Sequence, residues 1–211
     1  MLILNFNPHT EWKRGFDVLF SLSVLIASSP LMLLISLLIK LEDGGAVIYR
    51  HKRITAAGKE FDCLKFRTMR VGAEHELEDL LENNPRLREE WEQTFKLKND
   101  PRITRIGKLL RKTSLDELPQ LLNVLCGDMS LVGPRPDVPA QEADYAPEDW
   151  TLRHRVRPGV TGLAQALKRS TATPAERTEL DLRYVREQSL WLDLKILVRT
   201  LFVGFVNQNA Y

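Results

Sequence analysis

The sequence predicts a mainly helical α+β protein: an N-terminal hairpin that enters a membrane, then a small cytoplasmic domain with one short strand hairpin and interfacial amphipathic helices. Three observations support this prediction. They are a long uncharged run near the N-terminus, helical periodicity over most of the remainder, and one pair of strand-like segments. The chain has 211 residues, enough for one domain with a real core. We therefore place the membrane-associated part at 1–45 and the cytoplasmic domain at 46–211.

The overall charge is nearly balanced. There are 30 Lys and Arg against 28 Asp and Glu, a net charge of +2, so a globally basic protein that binds nucleic acid is not indicated. The cysteines, Cys63 and Cys126, are far apart and form no C-x-x-C motif. That spacing argues against a zinc site and against a disulfide scaffold, and free thiols in a reducing cytosol are the simplest interpretation.

The segment from Val18 to Ile39 contains no charged residue and is long enough to cross a bilayer as a helix. A straight transmembrane helix is therefore the first alternative. However, Pro30 lies in the middle of the segment and has no N–H, so the carbonyl of Ile26 loses its helical partner. The hydroxyls of Ser28 and Ser29 are placed to compensate.

Both flanks of this segment carry positive charge. Lys13 and Arg14 precede it, and Lys40 and the basic residues at 50–53 follow it. Because positive residues favour the cytoplasmic side, both ends are predicted to lie there. A helix broken at Ser29-Pro30 that enters one leaflet and returns satisfies both observations. We therefore favour a re-entrant hairpin over a straight span.

Residues 46–49 and 61–66 are short apolar or alternating runs separated by a Gly-containing loop, which predicts a strand pair. On the second strand Lys65 and Arg67 fall on one side and Phe66 on the other, because side chains alternate along a strand. Two interpretations of this basic side remain open: a phosphate-binding surface, or an edge strand with a charged rim.

The remaining segments are predominantly helical. Residues 73–93 predict two amphipathic helices split at Asn83-Asn84-Pro85, with an acidic solvated face. Residues 101–112 predict a short helix with a basic face, 121–125 a helix ended by Gly127, and 180–206 two further helical pieces.

Between the helices at 101–112 and 121–125 lie two adjacent carboxylates, Asp116 and Glu117. Ser114 and Glu117 have the spacing of a capping box, so a purely structural role is one interpretation. The five cations of the preceding helix exceed what a cap requires, which indicates an anionic third party. Arg135, held between Pro134 and Pro136, suits the same role.

Several blocks of this sequence resemble the bacterial sugar transferase family, the monotopic phosphoglycosyl transferases. The blocks are KRGFDVLFS at 13–21, KFRTM at 65–69, KNDPRITRIGKLLRKTSLDELPQLLNVLCGDMSLVGPRP at 98–136, RVRPGVTGLAQ at 155–165 and SLWLDLKIL at 189–197. The resemblance covers nearly the whole chain from Trp12 onward. The sequence shows no additional N-terminal spans of the kind found in larger relatives, so we expect the minimal catalytic form.

The resemblance implies a reaction. A sugar-1-phosphate moves from a UDP-sugar to polyprenyl (undecaprenyl) phosphate, UMP is released, and Mg²⁺ is required. It implies that Asp116 is the nucleophile and forms an aspartyl-phosphosugar, with Glu117 as the second catalytic carboxylate. Both carboxylates are expected near Mg²⁺, which prefers one or two carboxylates plus substrate phosphates. The expected phosphate or nucleotide ligands are Lys65, Arg67, Arg111, Arg135 and Arg157.

The same resemblance implies a location and partners. We expect the bacterial inner membrane, with catalysis at its cytoplasmic face, and a first membrane step in exopolysaccharide, capsule or O-antigen synthesis. The sugar is expected to be a hexose, galactose or glucose. A homodimer stays open, and no nucleic acid is expected. Two other functions also stay open: a membrane-anchored module that binds anionic lipid without catalysis, and a metal-dependent phosphohydrolase.

Overall fold

The computed structural model describes residues 8–94, 97–168 and 172–206. Within them the helices are α1 (Pro8–Asp43), α2 (His75–Asn83), α3 (Pro85–Thr94), α4 (Arg105–Thr113), α5 (Gln120–Cys126), α6 (Pro147–Arg153), α7 (Leu163–Lys168), α8 (Pro174–Glu187) and α9 (Leu190–Val206). The strands are β1 (Ile48–Ile54), β2 (Glu60–Phe66), β3 (Ser130–Val132) and β4 (Gly159–Thr161). The predicted α+β class, mainly helical with a small strand hairpin, is confirmed.

The predicted strand pair is an antiparallel hairpin, β1–β2, which is longer than the sequence indicated. Tyr49 is paired with Lys65, His51 with Cys63, and Arg53 with Phe61. Because side chains alternate, these three pairs share one face of the hairpin. The next described residues continue this layer, since Met69 forms an isolated antiparallel bridge with Ile103.

A second sheet, which the sequence did not predict as such, joins β3 and β4 in parallel. It lies at the centre of the main core, where Leu131, Val132 and Tyr184 are buried together with residues of α5, α7 and α9. Gly133 and Gly159 allow the backbones of these two segments to approach closely, because a Cβ on Gly159 would lie 2.1 Å from the Gly133 nitrogen. This sheet fixes the loop that follows β3.

Helix α1 packs one face against the rest of the protein near its two ends, while no residue from 22 to 34 is buried. Its buried positions recur at helical spacing: Lys13, Asp17, Ser21, Ile35 and Ile39. The opposite face exposes Trp12, Leu19, Ile26 and Leu33, whose exposed fractions are 78%, 68%, 66% and 71%. The segment Glu11–Asp43 is long and apolar enough to cross a membrane by length and composition.

The expected break at Ser29-Pro30 does not divide α1 into two helices, since the helix continues through Pro30. The structure shows why the helix tolerates the proline. Ser29 Oγ donates to the Ile26 carbonyl at 2.8 Å, which replaces the N–H that Pro30 lacks. The predicted compensation by serine is therefore present at Ser29, while the re-entrant path through a membrane stays a prediction.

The cations before the apolar segment have structural partners that the sequence did not indicate. Lys13 is buried and its Nζ lies 2.6 Å from Asp193 Oδ2, on α9. Arg14 donates to the carbonyls of Val124 and Leu125 at the end of α5. These two residues dock α1 onto the domain, so they are weaker evidence for membrane orientation than the sequence alone suggested.

The other helical predictions are largely confirmed. Helices α2 and α3 divide at Asn84, and no residue of α2 is buried, which agrees with a solvated face. Gly127 ends α5 with a positive φ of 93° and donates to two carbonyls of that helix. Helix α9 is a core helix through Asp193 and Ile196, but it also exposes Trp191 and Phe202.

Candidate active site

The two adjacent carboxylates lie on a tight turn between α4 and α5. Residues Leu115–Glu117 form a single 3₁₀ turn, and Ser114 before it adopts the left-handed conformation at φ 57°. Ser114 ends α4 by donating its backbone N–H to Arg111 and Leu110, and its side chain caps nothing. The predicted capping box is therefore wrong: Ser114 is a helix C-cap, and the Glu117 side chain is directed to Lys65.

The side chain of Asn123, on the helix that follows the turn, holds this region against β2. It forms hydrogen bonds with the backbone of β2, as a neighbouring strand would. Asn123 on α5 accepts from the Leu64 N–H at 2.9 Å and donates to the Asp62 carbonyl at 2.8 Å. Asn123 is 4% exposed, so these bonds satisfy polar groups that burial would otherwise leave unpaired. The geometry brings Lys65, near the end of β2, to the Asp116-Glu117 turn.

On the other side, α4 approaches the segment after β2 through Gly107. A Cβ at this position would lie 2.0 Å from the Thr68 carbonyl oxygen, so only glycine allows this contact. Thr68 accepts from the Thr104 N–H, and its hydroxyl accepts from Arg111 Nε at 2.9 Å. Arg111 is thereby directed toward the site and not into solvent.

Asp116 has an unusual carboxyl group. Its pKa is raised to about 6, mainly by burial and also by the neighbouring charge of Glu117, while Lys65 and Arg111 oppose the rise. Lys65 Nζ lies 2.6 Å from Glu117 Oε1, so the cation is anchored to one carboxylate while it acts on both. The charge of Asp116 is thus unfavourable in the free protein, a pattern that is common at reactive sites.

The other predicted phosphate ligands are distributed unevenly. Arg67 is turned away: its guanidinium pairs with both oxygens of Asp43 at the end of α1, and it holds the pKa of Asp43 at about 2. A phosphate-binding role for Arg67 stays a prediction, and it would require that this ion pair opens. Arg157 lies in the segment before β4, beside Gly133, and its side chain forms no hydrogen bond or ion pair with another described residue.

Arg135 is exposed on a rigid loop that follows β3. Its backbone carbonyl accepts from Arg153 Nη2 at 2.8 Å, and the preceding Pro134 carbonyl accepts from the Gly159 N–H. Arg153 is itself buried between Asp137, at 2.6 Å, and Asp181. The backbone of the loop is therefore fixed by Arg153 and Gly159, and the exposed Arg135 side chain projects from it.

Sequence reasoning missed several residues that shape the site. Asn123 and Arg153 are single polar residues whose partners lie far away in the chain, so no local pattern marks them. Arg53 was noted only as a flanking cation, although it contacts the Arg135 loop through the Pro136 carbonyl. No local pattern indicated this, because the predicted first strand ended at residue 49 and it is the observed pairing register that places Arg53 on the same face as Lys65.

The two carboxylates at this turn are a donor set of the kind that Mg²⁺ uses, in which the protein supplies only part of the ligands. Among the described residues, no group of three or more His, Cys, Asp and Glu side chains is close enough to hold a metal ion. Asp116 and Glu117 supply two carboxylates, and Lys65 engages only one oxygen of Glu117. Mg²⁺ is typically bound by one or two carboxylates, with the remaining ligands from phosphates and water.

The sequence matches one protein family over nearly its full length. The family model described as "Bacterial sugar transferase" matches residues 8–207. This match confirms the family resemblance on which the expected reaction was based. It includes the helix α1, the Asp116-Glu117 turn and the Arg135 loop.

Individual relatives carry related names. The chain is 47% identical over 199 residues to an undecaprenyl-phosphate galactose phosphotransferase of Salmonella typhimurium, covering 94% of this chain and 41% of the relative. It is 42% identical over 206 residues to a UDP-glucose:undecaprenyl-phosphate glucose-1-phosphate transferase of Escherichia coli, covering 94% and 41%. It is 46% identical over 199 residues to the exopolysaccharide production protein ExoY of Rhizobium meliloti, covering 94% and 88%. The chain thus spans about two fifths of the first two relatives and most of the third.

Proposed function

The chain belongs to the bacterial sugar transferase family, and from this premise we propose that it transfers a sugar-1-phosphate from a UDP-sugar to polyprenyl phosphate. The observation that carries the proposal is the half-buried Asp116, with its raised pKa, beside Glu117 and the paired Lys65. A carboxylate that is poorly solvated and close to cations is suited to attack an anionic phosphorus once the substrate's charge is neutralised.

The proposed reaction has two displacements. An oxygen of Asp116 attacks the sugar-bearing phosphorus of the UDP-sugar, and the bond between that phosphorus and the UMP oxygen breaks, so UMP leaves. A phosphate oxygen of the polyprenyl phosphate then attacks the same phosphorus. The bond to Asp116 breaks, which regenerates the carboxylate and leaves the polyprenyl diphosphate sugar. Aspartyl phosphates are an established type of covalent intermediate.

The surrounding cations are proposed to neutralise the diphosphate. Lys65 and Arg111 both act on the Asp116 charge, and Arg135 projects from a loop that is fixed by Arg153. Guanidinium groups bind phosphate oxygens in a bidentate geometry, and a lysine ammonium acts as a point charge. Fixed cations favour the transition state because they need no reorganisation during the reaction.

Asp116 and Glu117 are the residues that would hold Mg²⁺, together with substrate phosphate oxygens. Bound there, the ion supplies additional charge neutralisation on the diphosphate. Glu117 is the better of the two ligands, because its Oε2 is not engaged by Lys65. Asp116 must keep one oxygen available for the phosphorus that it attacks.

Helix α1 supports catalysis at one face of a membrane. Residues on both sides of Pro30 contact the same domain: Lys13 pairs with Asp193, and Glu42 accepts from the Arg105 N–H at 2.8 Å. A perpendicular span would separate these two ends by a bilayer, so the contacts favour a path on which both ends of α1 lie at the same face, as the re-entrant interpretation requires. We propose that this face is the cytoplasmic face of the bacterial inner membrane.

The relatives suggest the substrates. The names of two of them specify galactose and glucose with undecaprenyl phosphate, and a third is named for exopolysaccharide production. We propose that the donor is UDP-galactose or UDP-glucose and that the product enters exopolysaccharide synthesis or a related surface glycan. A homodimer stays compatible with this function.

The decisive assay combines purified protein, a UDP-hexose, Mg²⁺ and polyprenyl phosphate. Multiple-turnover UMP release that requires the lipid supports transfer, and Asp116→Asn is expected to abolish both turnover and covalent labelling by the sugar phosphate. Release of orthophosphate without lipid would favour the hydrolase instead. Lipid binding without any UMP would favour a non-catalytic module.

The membrane path is tested by labelling single cysteines on both sides of Pro30. Trp12→Cys and Leu41→Cys are suitable because both side chains are exposed, and the background is Cys126→Ser because Cys126 is also exposed. We expect a membrane-impermeant thiol reagent to reach both positions from the cytoplasmic face only. Labelling of the two positions from opposite faces would support a straight span.

A further inference from the structure

Arg53 lies on the face of the β1–β2 hairpin that leads to the reactive carboxylates. It shares this face with Lys65, because Tyr49 is paired with Lys65 and residues four apart on a strand point the same way. Along the strand, Tyr49 and Arg53 are separated by about 13 Å. Arg53 therefore lies on the same face as Lys65, about this distance along the hairpin, and next to the loop that carries Arg135.

The Arg53 guanidinium is held at two points. Nη1 donates to the Pro136 carbonyl at 3.0 Å, and Nη2 contacts His51 Nδ1 at 3.1 Å. Arginine has no acceptor, so His51 Nδ1 accepts and its Nε2 carries the proton. The next backbone N–H, of Ile54, donates to the Asp137 carbonyl at 3.0 Å. Strand β1 and the Arg135 loop are thus joined rigidly.

This half-buried cation has no counter-ion within the part of the chain that the structure describes. Asp137 is the carboxylate whose charge acts on Arg53, but it is occupied by Arg153 at 2.6 Å and by the Tyr145 hydroxyl at 3.1 Å. Burial lowers the pKa of Arg53, and the neighbouring positive charge of Arg135 lowers it further. Two nearby guanidinium groups without a carboxylate between them are unfavourable unless an anion binds.

We infer that Arg53, with Arg135, forms a second phosphate subsite, separate from the Lys65 end, that binds a phosphate monoester next to the reacting phosphorus. Only two of the five N–H donors of Arg53 are used by His51 and Pro136, so the others are available to phosphate oxygens. This inference deepens the proposed function and rests on it. The phosphate could be that of the departing UMP or that of the incoming polyprenyl phosphate.

The test compares Arg53→Gln and Arg53→Lys with Arg50→Gln in the full-length protein in detergent. Arg50 is the matched control, because it is an exposed arginine of the same strand on the opposite face. Binding of UMP and of polyprenyl phosphate is measured by calorimetry without turnover, and KM for both substrates is measured separately. We expect binding of one of these ligands to weaken at least tenfold in Arg53→Gln, less in Arg53→Lys, and not in Arg50→Gln.

The pattern of losses identifies the source of the phosphate. Weaker UMP binding with a raised KM for the UDP-sugar assigns the subsite to the nucleotide, whereas weaker lipid binding with a raised KM for the lipid assigns it to the acceptor. Unchanged binding of both ligands in Arg53→Gln would overturn the inference. If that variant fails to fold, judged by its thermal unfolding, Arg135→Gln tests the same subsite from an exposed position.

The proposed function can fail independently of this subsite. If the wild-type protein releases no UMP in the presence of lipid, transfer is excluded. A loss of UMP or lipid-phosphate binding that is specific to the Arg53 variants would then still establish the anion subsite. If instead the wild-type protein transfers the sugar phosphate and ligand binding is unchanged in the Arg53 variants, the proposed function is supported and the Arg53 subsite is refuted.

Discussion

The Asp116 carboxyl links stability and reactivity in one residue. Its pKa is about 6 in the folded protein against an ordinary value of 3.8, mainly because of burial. The folded state therefore holds this proton more tightly than the unfolded chain. Ionisation of Asp116 destabilises the fold as the pH rises from about 4 to about 6, and the cost persists at higher pH. In the proposed reaction, the ionised form that attacks the phosphorus is thus the less stable one.

We predict that Asp116→Asn stabilises the protein at pH 8 while it abolishes transfer. The neutral amide avoids the cost of a poorly solvated charge, which is about 2 kcal/mol after allowance for partial solvent exposure. At pH 4 wild-type Asp116 is largely protonated, so the difference should disappear. Thermal unfolding at the two pH values measures this. A variant that is less stable than wild type at pH 8 would contradict the assigned environment.

In the proposed reaction the same carboxyl sets the pH dependence of the rate. Since only ionised Asp116 could attack phosphorus in that reaction, we predict that the rate of wild type falls as the pH drops through about 6. Lys65 opposes the rise of this pKa, so Lys65→Gln should move the midpoint upward by about one pH unit. The midpoint is read from normalised pH–rate profiles, because the variant will also be slower.

Lys52→Gln is the control for that shift. Lys52 lies on β1, on the opposite face from Lys65, and pairs with Asp62 at 2.9 Å. Its charge is exposed and screened, so the midpoint should stay at the wild-type value. Equal midpoints for Lys65→Gln and wild type would show that Lys65 does not act on the ionisation of Asp116.

At the scale of elements, the sequence predicted which segments are helices or strands better than it predicted which of them pair with each other. The β1–β2 hairpin, the division of α2 from α3 and the end of α5 at Gly127 were predictable, because each rests on local periodicity or on a residue with special backbone geometry. The parallel pair of β3 and β4 was not. Each strand has three residues, and the pairing joins segments about thirty residues apart, which local patterns do not encode.

The capping box illustrates the same limit inside the site. Ser114 and Glu117 have the required spacing, but Lys65 on β2 competes for the Glu117 carboxylate and forms an ion pair at 2.6 Å. A distant cation thus overrides a local motif. Adjacent carboxylates and nearby basic residues were readable from sequence. The partners Asn123, Arg153 and Arg53 were not, because their contacts are set by tertiary structure.

Helix α1 offers a prediction at the element scale. Ser29 Oγ supplies the only side-chain donor that the described structure gives to the Ile26 carbonyl, which Pro30 deprives of its backbone partner. We predict that Ser29→Ala destabilises α1 locally by about 1–2 kcal/mol, because an unpaired carbonyl in an apolar environment is costly. Hydrogen–deuterium exchange of peptides covering residues 20–40 measures this opening.

Ser28→Ala is the matched comparison. The Ser28 hydroxyl also donates to a carbonyl, that of Val24, at 2.7 Å. However, Val24 retains the backbone N–H of Ser28 as its ordinary helical partner, so the hydroxyl is an additional donor. The exchange rate should change little, by less than about 0.5 kcal/mol. Equal effects of the two substitutions would show that Ser29 does not compensate for Pro30.

At the scale of the whole molecule, one buried polar network connects the two ends of the chain. Lys13 on α1 pairs with Asp193 on α9, and the Tyr184 hydroxyl on α8 donates to Asp193 Oδ1 at 2.7 Å. Lys13 also donates to the Val132 carbonyl at the end of β3, whose oxygen lies 2.9 Å from the Tyr184 hydroxyl. The network therefore joins α1 to the central sheet, from which the Arg135 loop extends.

This network predicts strong coupling between residues 13 and 193. Lys13→Met leaves a buried carboxylate without its cation, and Asp193→Asn leaves a buried ammonium without its anion. Each should lower the free energy of unfolding by about 3–5 kcal/mol, since the remaining charge stays buried and uncompensated. The double variant removes both charges, so its loss should be smaller than the sum by about 2 kcal/mol or more.

A double-mutant cycle on Arg183 and Glu187, an exposed ion pair, is the control for the coupling between residues 13 and 193. This pair has a comparable distance, 3.0 Å, but its side chains are 57% and 52% exposed and lie one turn apart on α8. Its coupling should be below about 0.5 kcal/mol, because solvent screens it. Unfolding in denaturant, with the detergent held constant, gives both cycles. Additive effects at Lys13 and Asp193 would mean that α1 is held by its apolar face and by its other polar contacts, such as those of Arg14. Strong coupling there, and not at Arg183–Glu187, makes the buried pair a contact that fixes α1 to the rest of the protein.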